Sequence, residues 1–228
     1  MAITLERVCE NAEKTYGMKL LAGAAGMDGF VRWVHIIEDR EVPRFLHGDE
    51  LIFITGIGQK GTDWLHDFIS RLCHKHAVGL VVNVGPYIHS IPPEAIDYCE
   101  EHGLPLFEVP WEAHLIDMTY DFCHRIIASE ETEVSLATAI KNLIFDPQDE
   151  KAYRSTLERR SFSAKAPYCV VAFKPHADMI EEHEMRSLKF QAHRLLNETG
   201  QFFSLFFQNK NLIAVLQDFS DEQVDRFV

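Results

Sequence analysis

Between residues 51 and 110, short apolar runs rich in β-branched residues alternate with segments whose apolar residues recur every three to four positions. This alternation restricts the fold more than any other feature of the chain. Residues 51–55 (LIFIT), 79–85 (GLVVNVG) and 104–109 (LPLFEV) have the length and composition of buried strands. The first intervening segment places Leu65, Phe68, Ile69, Leu72 and Cys73 on one helical face, with Thr62 or Asp63 available as its cap. The second opens at Pro92 and Pro93 and turns Ala95, Ile96 and Cys99 inward. Two strand–helix–strand units in succession imply a mostly parallel sheet with right-handed crossovers.

Upstream, the periodicity after Thr4 predicts one helix over about 4–16, stopped at Gly17, and residues 30–37 read as another strand in which Trp33 and His35 are core and strand-edge residues. An α/β domain over residues 1–128 follows, ending in a helix over about 113–127. The acidic stretch 129–133 (SEETE) reads as a break, and helices over about 134–145 and 149–159 make a helical connector over 129–166. From Tyr168 the pattern is strand, long helix (about 179–197), strand, tight turn (208–211) and strand, with Ser220 and Gln223 spaced as a capping box. Residues 167–228 thus predict an incomplete ferredoxin-like α+β domain, in which Phe202, Phe203, Phe206 and Phe207 form a core or dimer surface.

A formal net charge of −13, from 35 acidic and 22 basic residues, argues against a phosphate-tracking surface on this chain by itself. The five cysteines are scattered without C-x-x-C, so neither a disulfide framework nor a zinc knuckle is expected and a reducing cytoplasm fits. No apolar run approaches membrane-spanning length. Cys73–His74–x–His76 and Cys123–His124 invite a metal, but on a helix adjacent residues point about 100° apart, so no metal site is expected. No G-x-S-x-G or comparable nucleophile arrangement is present, and no catalytic residue is assigned.

Gly56, Gly58 and Gly61 fit G-x-G-x-x-G between a strand and a helix, the spacing that lets backbone approach a pyrophosphate. The acid expected on the ribose about 20 residues on is missing, since Asn83 stands at the end of the next strand. Gly61 is followed by Thr62 and Asp63 where a P-loop needs Lys and Ser or Thr. A tight structural turn and a ligand-binding turn both remain open.

The stretches LLAGAAGMDGFVRWVHIIED, LHGDELIFITGIG and AVGLVVNVGPYIHSIPPEAIDYCEEHGLPLFEVPW together carry V-x-W-V-H, G-D-E-L, T-G and G-x-Y-x-x-x-I-P. This joint pattern resembles the N-terminal domain of purine-catabolism-regulator-like (PucR-like) transcription factors over about residues 3–128. The resemblance implies a sensory domain, then a GGDEF-like domain similar to residues 167–228, then a C-terminal helix-turn-helix that this chain lacks. A hairpin reading Gln208–Asn209–Lys210–Asn211 departs from the cyclase signature, so cyclase activity is not expected. The resemblance also accounts for T-G without a nucleotide.

Open α/β sheets place ligands at the carboxyl ends of their strands. The residues expected there are Glu38, Thr55, Gly56, Gly58, Asn83, Gly85, Tyr87 and Trp111. Turn N–H groups would hold an anion, Asn83 and Tyr87 would orient polar groups, and Trp111 would cover an apolar face. The expected partners are a small-molecule effector and a second copy of the chain, with no cofactor, no membrane, and DNA reached only through the missing domain. An α/β nucleotide- or phosphometabolite-binding enzyme using residues 56–61, and a ligand-free dimerisation module, are the alternatives.

Overall fold

The computed structural model describes residues 3–59, 61–163, 165–174 and 182–227. The chain divides into two compact units, Ala2–Ala128 and Ser129–Val228.

The first unit is an α/β layered domain. Its strands are β1 (Lys19–Ala22), β2 (Trp33–Ile36), β3 (Glu50–Ile54), β4 (Gly79–Val84) and β5 (Leu106–Pro110), in the sheet order β1-β5-β4-β3-β2. β2 to β5 are parallel neighbours, and β1 pairs antiparallel with β5. The helices are α1 (Leu5–Val8), α2 (Ala12–Tyr16), α3 (Trp64–His74), α4 (Pro93–Glu101) and α5 (Leu115–Phe145). Alternation along each strand serves both faces: Ile52, Ile54, Leu80 and Val82 pack under α3 and α4, while Leu51, Phe53, Val81 and Phe107 pack under α1, α2 and α5. Because β3 and β4 are buried on both faces, their sequences read as continuous apolar runs.

Several expectations need correction. The single helix over 4–16 is two, α1 and α2, separated where Asn11 adopts a left-handed φ of 65°. β1 was not expected at all, being four residues without a β-branched side chain and largely exposed. Trp33 is 48% exposed, because β2 is the sheet edge and Trp33 lies on the face opposite buried Val34. Thr62 and Asp63 do not cap α3 through their side chains; Asp63 is its N-cap residue without such a bond. The outer side of β2 is blunted, with Val31 N–H donating to Ile3 O at 2.9 Å, a bridge between Thr4 and Phe30, and the Cys123 thiol reaching the Val34 backbone.

The acidic stretch 129–133 is not a break, since α5 runs through it as one 31-residue helix. It contains neither Gly nor Pro, and Glu is a good helix former. α5 contributes Met118, Phe122 and Ile126 to the first unit and Leu136, Ala139 and Ile140 to the second. The helix expected over 149–159 is a 3-10 turn at Glu150–Ala152 followed by α6 (Arg154–Arg159).

In the second unit β6 (Tyr168–Phe173), α7 (Glu182–Asn197), β7 (Phe203–Gln208), β8 (Asn211–Gln217) and α8 (Asp221–Phe227) follow in order. Residues 179–181, expected to open α7, lie outside the described residues. The antiparallel sheet is ordered β6-β8-β7, the order of the first three strands of a ferredoxin-like fold. Asn209 and Lys210, with φ of 49° and 62°, form the two-residue hairpin turn. The Ser220 capping box is present: Ser220 N–H donates to Gln223 Oε1 at 2.9 Å and Gln223 N–H to Ser220 Oγ at 3.4 Å. Phe203 is buried, whereas Phe202 and Phe207 are exposed.

Candidate functional site

The carboxyl ends of β2, β3, β4 and β5 lie side by side, so the loops that follow them form one rim. Consecutive parallel strands are neighbours, and α3 and α4 cover the same face. Their crossovers therefore run the same way, and the crevice that opens where successive crossovers diverge does not arise between them. What the rim offers depends on its loops.

At the β2 and β3 ends the turn is tied to Glu38. Thr55 N–H and Thr55 Oγ1 donate to Glu38 Oε1 at 3.0 and 2.7 Å, and Gly56 N–H donates to Glu38 Oε2 at 3.0 Å. Gln59 Nε2 adds a bond to Glu38 O at 3.1 Å, and Ile57 N–H donates to Thr55 Oγ1 at 3.3 Å. The N–H groups that the sequence reading reserved for a bound anion are thus held by an internal carboxylate. A second anion here would meet the Glu38 charge at close range.

Gly56 has φ of 76°, and a Cβ there would lie 2.6 Å from Ile88 Cγ1. Only glycine fits against buried Ile88 in this conformation. Gly58, with φ of 79°, has open space where a Cβ would stand, so what calls for glycine there is the left-handed backbone of the turn.

The β4 and β5 ends are built differently. Buried Asn83 donates through Nδ2 to Pro110 O at 2.9 Å, tying the two strand ends together. Gly85 N–H donates to Ile88 O at 2.8 Å. A Cβ on Gly85 would lie 2.8 Å from both Cβ and Cε3 of Trp111, so the indole lies against the glycine backbone. Tyr87 meets Trp111 edge-on, with centroids 5.8 Å apart and planes at 70°. Both rings remain outward, 42% and 43% exposed.

The expected residues therefore share one rim but form two clusters: Glu38, Thr55 and Gly56, and Asn83, Gly85, Tyr87 and Trp111. They meet where Gly56 packs on Tyr87 and Ile88. Glu38 follows β2 and Trp111 follows β5, strands three spacings apart, yet the Glu38 carboxylate reaches in to the β3 end and the Trp111 indole to the β4 end. Sequence reasoning missed Ile88 and Gln59. Ile88 lies inside the G-x-Y-x-x-x-I-P stretch, whereas nothing in the sequence marks Gln59 as a partner of residue 38.

A related carboxylate sits at the other end of β3. Glu50 is 7% exposed and accepts from His47 N–H at 2.9 Å and Gly48 N–H at 2.8 Å, which gives the G-D-E-L motif a structural purpose. Burial pushes the thiols of Cys73 and Cys123 up, and those of Cys9 and Cys99 to about 12, the reverse of an activated nucleophile. Among the described residues no group of three or more His, Cys, Asp or Glu could hold a metal ion, and no helix is long and apolar enough to cross a membrane.

Residues 8–126 match the purine catabolism regulatory protein-like (PucR) family. The chain belongs to that family. The purine catabolism regulatory protein of Bacillus subtilis (strain 168) is 25% identical over 191 residues, which cover 82% of this chain and 36% of that relative. The chain thus spans about a third of the length of the curated relative it matches. No solved structure gives a significant match. In this PucR-family chain the quoted motifs have structural roles: G-D-E-L supplies Glu50 and the Gly48 N–H it accepts from, T-G is the turn held by Glu38, and G-x-Y supplies Gly85 and Tyr87.

Proposed function

We propose that the first unit is the effector-sensing domain of a transcription regulator, and that a small metabolite with a flat ring binds on Trp111 and Tyr87 at the β4 and β5 strand ends. The observation that carries this reading is the aromatic pair itself. Trp111 is seated on Gly85, Tyr87 is edge-on to it, and each ring keeps more than two-fifths of its surface outside. Preorganised rings supply contact area without the entropy cost of ordering them on binding. The Glu38 carboxylate supports an uncharged or donor-rich ligand over an anion, and a phosphate-binding turn at residues 56–61 loses support for the same reason.

The relative's name refers to purine catabolism, which makes purines and their breakdown products the first ligands to try. The second unit is a non-catalytic GGDEF-like domain in this reading. In this reading the regulator works in the cytoplasm and controls transcription through a DNA-binding helix-turn-helix outside the two units described.

The test is a thermal-shift and tryptophan-fluorescence screen against purines, their ring-opened products, small carboxylic acids, NAD and ATP. A purine-class ligand should raise the melting temperature and quench emission, and Trp111→Ala should remove both effects. Stabilisation by NAD or ATP that survives Trp111→Ala would overturn the reading, and silence from the whole panel would favour a ligand-free module.

A further inference from the structure

Within the first unit, α5 carries apolar residues on two sides. Met118, Phe122 and Ile126 face the core and are buried. Ile116, Tyr120 and Ile127 are 76%, 74% and 42% exposed. At 100° per residue these three fall within about 40° of one another, a straight row on the side away from the core. At its margin lies Ile36 of β2, 47% exposed, on the same side of its strand as Val34, whose backbone the Cys123 thiol reaches. Isolated exposed apolar residues are ordinary; an aligned row beside an exposed edge isoleucine marks a contact surface.

We propose that this outer face of α5, with Ile36 at its margin, is where two copies of the chain pair, their α5 helices antiparallel about a two-fold axis. The row is self-complementary. Ile116 and Ile127 stand equally far from the midpoint between Asp121 and Phe122, so antiparallel pairing seats Ile116 of each copy on Ile127 of the other, with both Tyr120 rings near the centre. The polar residues beside the row agree with this direction. Asp117 and His124 lie on one flank of the row, and antiparallel pairing brings Asp117 of each copy towards His124 of the other. Parallel pairing would put the two copies' flanks on opposite sides of the seam, where Asp117 meets no His124.

Both side chains are already positioned within one copy. His114 Nδ1 lies 3.3 Å from Asp117 Oδ2, and His124 stacks on Tyr120 with ring centroids 6.4 Å apart. A patch of four apolar side chains belongs at the small end of specific interfaces, on the order of 1,000 Å² in total, which fits pairing at micromolar concentration. Because each copy carries a formal charge of −13, added salt should tighten the dimer.

Sedimentation of the whole chain over a micromolar concentration series tests the proposal. The expected result is a monomer–dimer equilibrium that Tyr120→Asp weakens at least tenfold, with an unchanged far-UV circular dichroism spectrum. Tyr120→Ala should give a smaller loss in the same direction. Direction is read by oxidative cross-linking: Ile116→Cys combined with Ile127→Cys should yield covalent dimers, and Ile116→Cys alone should not. A monomer at every concentration, a dimer indifferent to Tyr120→Asp, or efficient cross-linking by Ile116→Cys alone would each overturn it.

Discussion

At the carboxyl ends of β2 and β3 the backbone donors of Thr55, Gly56, Ile57 and Gln59 all find acceptors within the protein. At the ends of β4 and β5 two aromatic rings stay half outside. One cluster is closed on itself and the other is open, although both follow parallel strands of one sheet. Strand ends provide a location; whether a location is receptive depends on what the loop chemistry has already satisfied. A carboxylate that takes up the Thr55 and Gly56 N–H groups makes the turn a structural clamp.

The contrast makes ordered predictions. Gly56→Val should have the largest effect, because it combines a left-handed φ with a clash on Ile88. A loss of about 3 kcal/mol or more is expected from strain and overpacking together, read as a lowered urea midpoint for the first unit. Glu38→Ala removes the acceptor of three hydrogen bonds and should cost about 2 kcal/mol in the same measurement. A midpoint unchanged by Glu38→Ala would show that the clamp is dispensable and reopen the turn as a ligand site.

Gly85→Ala pushes the Trp111 indole off its seat and should cost about 1–2 kcal/mol, with a shifted tryptophan emission maximum as the more specific readout. Trp111→Ala removes a ring that is 43% exposed, and its specific readout is the disappearance of the ligand response. If the ligand response survived Trp111→Ala, the open cluster would be a packing element and the contrast would fail.

Much of the first unit was legible in the sequence. β3, β4 and β5 are buried on one or both faces and read as apolar runs, and α3 shows its inward face through Leu65, Phe68, Ile69 and Leu72. β1 was not, because an edge strand reading Lys–Leu–Leu–Ala has neither alternation nor β-branching to announce it. The continuity of α5 was hidden by treating polarity as a helix stop. Polar residues end a helix only when they cap it or when Gly or Pro breaks it, and Glu130, Glu131 and Glu133 do neither.

For the rim, sequence order was enough to place the residues together, since strand ends are fixed once the strands are found. The occupant of the turn was not, because Glu38 lies 17 residues from Thr55 and any oxygen anion satisfies the same N–H groups. The separation of the rim into two clusters also needed the strand order. Tyr87 and Trp111 are 24 positions apart in the sequence yet in edge-to-face contact.

The blunted edge of β2 has a consequence for handling the protein. Val31 and Val34 each have a backbone group occupied from outside the sheet, one by Ile3 and the other by Cys123. Shelf life therefore depends on a thiol and on the first few residues of the chain. Alkylating Cys123, or trimming Ile3 and Thr4, would leave a row of unsatisfied peptide groups beside Trp33 and Ile36, and light scattering should then rise on storage while the remaining fold is intact.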